Sequence, residues 1–109
     1  MKAQKVRMSN HATEDRLDRL TYIAMNVGFG DVAYKLPDTT HNDRYYIFTT
    51  TGVMMVKAVH GDTIITAYIP TIEKTIAIFK SAGADVPTTY KRIIVKNKKH
   101  NEMQDKVRY

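Results

Sequence analysis

The chain has 109 residues, 43% hydrophobic and 26% charged, which fits one folded domain with a modest core, is too short for two, and argues against disorder except at the ends. It contains no cysteine, which excludes disulfides, a thiol nucleophile and cysteine-ligated zinc or iron–sulfur chemistry. The net charge of +6 is concentrated at one end: residues 1–87 hold 10 Lys and Arg against 9 Asp and Glu, and residues 88–109 hold 7 against 2.

The opening "MKAQKVRM" lacks the apolar core of a signal peptide, and no apolar run approaches the roughly 18 residues needed to span a bilayer. A soluble, cytoplasmic protein with no membrane partner is the expectation. The first predicted helix runs from Ser9 to Asn26. Ser9 and Asn10 are N-cap residues, Glu14 and Asp15 complement the positive end, and Leu17, Leu20, Ile23, Ala24 and Val27 recur at helical spacing. Gly28 and Gly30 in "VGFGD" stop it. His11 is needed for none of this.

"VAYKLPDTTHND" reads as a surface loop with a short edge strand at Val32–Leu36. From Arg44 the period becomes two. "RYYIFTT", "GVMMVKAV" and "TIITAYI", separated by Thr51-Gly52 and by "HGD", predict an antiparallel meander. Alternation groups Ile65, Ala67 and Ile69 against helices, and likewise Met54, Val56 and Ala58. The expected opposite face then carries Arg44, Lys57, Thr66 and Tyr68: two cations, two hydroxyls and no carboxylate. Tyr45, Tyr46 and Phe48 lie beside basic residues and could stack bases, without an RNP signature.

Pro70 ends the third run and opens the helix "TIEKTIAIFKSAG", with Ile72, Ile76 and Phe79 on one face and Gly83 as C-cap. Met54, Met55, Ile76 and Phe79 are expected core residues. Pro87 and Thr88 begin a last helix to about Lys99, and residues 97–109 form a basic tail open to fraying. Lys91, Arg92, Lys96, Lys98 and Lys99 in this end are candidate polyanion contacts, each phosphate neutralised releasing condensed counterion. A solvated helix face is the alternative reading of the same charges.

The order "HA…RL..R" on the first helix, followed by a meander whose last strand contains "IITAYIP", resembles the BECR (barnase, EndoU, colicin, RelE) ribonuclease superfamily, and is particularly similar to small phage and prophage members. The similarity covers residues Ser9 to Thr71. The related pattern places arginines four and eight residues after the histidine; here Asp15 fills the first of these positions, Arg16 follows it, and Arg19 is in step. The resemblance implies metal-independent RNA cleavage, in which a base takes the 2′-OH proton, the oxygen attacks its own phosphate and a 2′,3′-cyclic phosphate is left. It assigns His11 as acid or base, Arg16 and Arg19 as phosphate clamp, and Thr66 and Tyr68 as the phosphate-contacting pair; histidine and arginine suit proton transfer and charge stabilisation. Arg44 and Lys57 join this set through strand alternation alone. RNA is the implied partner, with room for an inhibitor or host protein and for a homodimer.

No Walker loop, dinucleotide fingerprint or nucleophile elbow occurs, and His41, His60 and His100 make no metal-ligand spacing, so no cofactor and no metal are assigned. The expected fold is a single α+β domain: an N-terminal helix, a small antiparallel β-meander and two C-terminal helices. The leading function is an endoribonuclease acting through 2′-OH attack. The alternatives are a non-catalytic nucleic-acid-binding module of the same fold and a phage-type protein-interaction factor.

Overall fold

The computed structural model describes residues 10–61, 63–104 and 106, with side chains from Asp18 onward. Its elements are α1 (Asn10–Asn26), β1 (Val32–Pro37), β2 (Arg44–Thr49), β3 (Met54–Ala58), β4 (Ile64–Tyr68), α2 (Ile72–Ser81), α3 (Thr88–Lys96) and α4 (Lys98–Gln104). The strands form one antiparallel sheet in the order β1-β2-β3-β4, an α+β meander between an N-terminal helix and C-terminal helices. Among the described residues no helix is long and apolar enough to cross a membrane.

Turn chemistry fixes the meander. Gly52 adopts φ 87° between β2 and β3, and a Cβ there would stand 2.5 Å from Asn97 Nδ2. That amide donates to Thr51 O at 2.7 Å, so the hairpin tip is pinned to the end of α3. Thr71 caps α2, its hydroxyl accepting from the Lys74 amide at 3.0 Å.

The sheet packs on both faces, one of them only in part. On one, Phe48, Met54 and Val56 pack against Phe79 of α2 and Tyr90 and Ile94 of α3. Tyr90 donates its hydroxyl to Thr49 O at 2.7 Å, and its ring meets those of Tyr34 and Phe48 edge-on. Ile23 of α1 joins Val53 and Ile69 in a second, smaller core on the other face.

Register corrects the expected strand faces. Met54 pairs with Tyr68 and Val56 with Thr66, so Thr66 and Tyr68 share the α2/α3 face, not an open one. Arg44 lies opposite Ala58 on that same face, whereas Lys57 pairs with Tyr45 and points to the other side. Both alternating sets of β4 are partly apolar because helices cover both faces, and period two cannot say which helices cover which. Ile76 is also corrected: it is 40% exposed, since the buried side of α2 runs through Ile72, Thr75 and Phe79. Met54 and Phe79 are buried, while Met55 is only half-buried.

The expected single last helix breaks at Asn97 into α3 and α4. Residues 98–104 are not a frayed tail. Buried Gln104 accepts the Ile69 amide at 2.7 Å and donates to Ile69 O at 2.8 Å, and Asn101 donates to the same carbonyl at 2.6 Å. Replacing Gln104 by Leu leaves the Ile69 N–H buried without a partner and is expected to cost about 2 kcal/mol. Urea unfolding of the variant measures this, and stability equal to that of the original chain would make α4 an unanchored tail.

Candidate functional site

The outer edge of β4 is where α1 meets the sheet. Backbone groups of residues 67 and 69 point away from β3, and an edge strand leaves such groups unpaired unless something covers them. Ile23 fixes α1 in the second core, and one helical turn earlier Arg19 reaches this edge. Its Nε donates to Ala67 O at 3.0 Å and its Nη2 to Thr66 Oγ1 at 3.0 Å. The guanidinium carbon lies 5.9 Å from the centre of the Tyr68 ring.

Lys74, in the first turn of α2, brings a second cation to the same ring, its Nζ 5.9 Å from the centroid. Arg19, Thr66, Tyr68 and Lys74 thus come together from α1, β4 and α2. Burial pushes the Tyr68 phenol above its ordinary pKa, and the charge of Arg19 pulls part of the way back. At neutral pH the phenol is protonated and able to donate.

Next to this cluster the 38–41 segment folds around Asp38, whose residue is 7% exposed. Its Oδ1 accepts the amides of Thr40 at 2.8 Å and His41 at 3.0 Å, and its Oδ2 lies 3.3 Å from His41 Nδ1. Burial opposes the charged carboxylate, but these two amides and the imidazole outweigh it and hold Asp38 below the ordinary carboxylate value. The Tyr46 phenol is raised by burial first and then by the nearby charge of Asp38.

The remaining sequence-derived candidates are dispersed. Arg44 begins β2 on the face of Thr66 and Tyr68, its Nε 3.9 Å from Asp43 Oδ1 and without a hydrogen-bond partner among the described residues. Lys57 is separated from the cluster by the sheet. Lys91, Arg92, Lys96, Lys98 and Lys99 are exposed along α3 and α4. His11 and Arg16 fall within α1, but their side chains lie outside the described residues, as do Ser9 and Asp62. His100 accepts or donates at 2.9 Å to the Tyr22 hydroxyl, joining α4 to α1.

Lys74 and Asp38 are absent from the sequence-derived set, and Tyr46 enters it only as a base-stacking candidate. "PDTTH" did carry a signal, since Asp followed two and three residues later by free amides is an Asx-turn pattern. Lys74 carried none, because its place depends on how α2 docks. Among the described residues no three His, Asp or Glu side chains are grouped as metal ligands.

Asp38→Ala is expected to lose about 2 kcal/mol of stability at pH 7, the contribution of a buried charged acceptor to its own loop. Because the folded carboxyl is depressed, that advantage of the original chain exists above the ordinary value of 3.8 and disappears as pH falls through the lower folded value. Unfolding curves of both proteins should therefore converge in acid; a gap independent of pH would detach the effect from the charge.

Set against protein-family models, curated proteins and solved structures, the chain matches none.

Proposed function

We propose that this protein acts on RNA as a metal-independent endoribonuclease of the BECR kind. One observation carries the reading: Arg19 and Lys74, from different helices, converge on the Tyr68 ring beside the Thr66 hydroxyl. Cations with neutral hydroxyl donors suit a phosphodiester, and they suit still better the extra negative charge of a phosphorane-like transition state. Exposed Lys91, Arg92, Lys96, Lys98 and Lys99 supply longer-range attraction to the polyanion.

His11 is the proton-transfer group in this proposal, with Arg16 assisting Arg19. Eight residues, about 12 Å of helix, separate His11 from Arg19. Both reacting oxygens are bonded to the one phosphorus, so this reading requires the His11 and Arg19 side chains to span that rise toward a single phosphate lying along α1. One proton leaves the 2′-OH as it attacks phosphorus, and one is delivered to the departing 5′ oxygen.

A second reading, a non-catalytic RNA-binding module, draws on the hydrogen bonds of Arg19 to Ala67 O and Thr66 Oγ1. Those bonds tether α1 to the sheet whether or not RNA is cut.

Incubation with total and transfer RNA in excess EDTA, with end-group analysis, separates the two. Fragments ending in 2′,3′-cyclic phosphate are expected, with His11→Ala slowing their formation by ~10²–10⁴-fold while RNA binding persists. Bound but intact RNA would leave the binding module; equal loss of cleavage and binding would remove His11 from the chemistry. Replacing Lys91, Arg92, Lys96, Lys98 and Lys99 by Gln should flatten the salt dependence of binding by about 0.7 in log–log slope per lost single-strand phosphate contact. An unchanged slope would make these residues a solvated face only.

A further inference from the structure

A cleft of about 240 Å³ lies between residues 37–40, Tyr46 of β2 and one side of α2. Pro37 and Ile78 give it apolar surface, Tyr46 and Lys74 give it polar edges, and Asp38 lies in its wall. Lys74 belongs both to this cleft and to the cluster around Tyr68. We propose that the cleft is a base-binding subsite: it receives one nucleobase of the RNA, while Lys74 and Arg19 hold the phosphate joined to that nucleotide.

This inference rests on the RNA reading above, and three features favour a base over a second phosphate. The volume is below the ~300–1,000 Å³ typical of sites for larger organic ligands, so the occupant is a small group. The lining is more polar than apolar, with Pro37, Ala77 and Ile78 among hydroxyl and charged groups, and this mixture matches a heterocycle held chiefly through its hydrogen-bonding rim. Asp38 remains ionised in the wall and repels an anion from the interior, while Lys74 draws one toward the neighbouring cluster.

Asp38 is committed to its own loop. Its oxygens are taken up by the Thr40 and His41 amides and the His41 imidazole, so it acts as a fixed negative charge in the wall and not as a ligand group. The Tyr46 hydroxyl, in the lining of the cleft, is left to donate to or accept from the hydrogen-bonding rim of a base, while Lys74 faces the phosphate.

Titration of the full-length chain with the four nucleoside 3′-monophosphates and with ribose 5-phosphate, followed by NMR shifts, tests the proposal. At least one nucleotide is expected to bind about tenfold more tightly than ribose phosphate, the lower end of what engaging one base contributes. Ser81 faces the cleft from the exposed end of α2, so Ser81→Leu fills the space without touching the core and should bring the nucleotide down toward the ribose phosphate level. Lys74→Met should weaken both ligands. Equal affinity for nucleotides and ribose phosphate would overturn the base subsite and leave the phosphate site standing. A nucleotide preference untouched by Ser81→Leu would place the base elsewhere and overturn it too. No binding of either ligand would overturn the subsite together with the RNA reading.

Discussion

Closure of the outer edge of β4 is the constraint on which the rest of this structure depends. A buried strand edge must have its amides and carbonyls paired, and among the described residues no fifth strand does so. Side chains take its place: Arg19 on Ala67 O, Gln104 on both polar groups of Ile69, and Asn101 on the Ile69 carbonyl. Gln104 imitates a strand residue, giving and receiving one bond at the same position. α1 and α4 are thereby brought to one edge, and the Tyr22–His100 bond links these two helices. The opposite edge, β1, stays outside this arrangement and carries Lys35 and Pro37, residue types that discourage strand addition.

The same closure creates the candidate site. Arg19 cannot bond to Ala67 O without its guanidinium also lying beside Thr66 and the Tyr68 ring. Lys74 arrives independently, through the Thr71 cap and the burial of Thr75 and Phe79 that orient α2. The charge at the site is therefore held by elements whose positions are set by packing, which is the condition for electrostatic stabilisation without reorganisation. Arg19 has two duties that compete. A phosphate would have to share a guanidinium already engaged by a backbone carbonyl and a threonine hydroxyl, whereas Lys74 meets the ring from a flexible stem.

Polar side chains, more than apolar ones, decide where the loops and ends of this protein lie. Asp38 organises the segment after β1, Asn97 holds the β2–β3 turn, and Asn101 with Gln104 docks α4. In a chain of 109 residues with two small cores, each of these hydrogen-bonded groups contributes specificity that apolar burial alone does not supply.

Local physics made much of the fold legible in the sequence. Helical spacing from Leu20 to Val27, alternation from Arg44 onward, Pro70 before a helix and glycine at 52 each reflect interactions within a few residues, and each marks an element that forms where expected. The α+β class follows from that order of elements. Tertiary structure alone decided the side of the sheet that Thr66, Tyr68 and Lys57 occupy, because β4 has apolar residues in both alternating sets and only register against β3 separates them. It alone also decided that residues 98–104 form a docked helix, since the anchors are amides and hydrophobic pattern is blind to them. Arg19 was visible as a candidate, but its meeting with Lys74 at Tyr68 joins positions 55 residues apart, and no local preference encodes a distance of that kind.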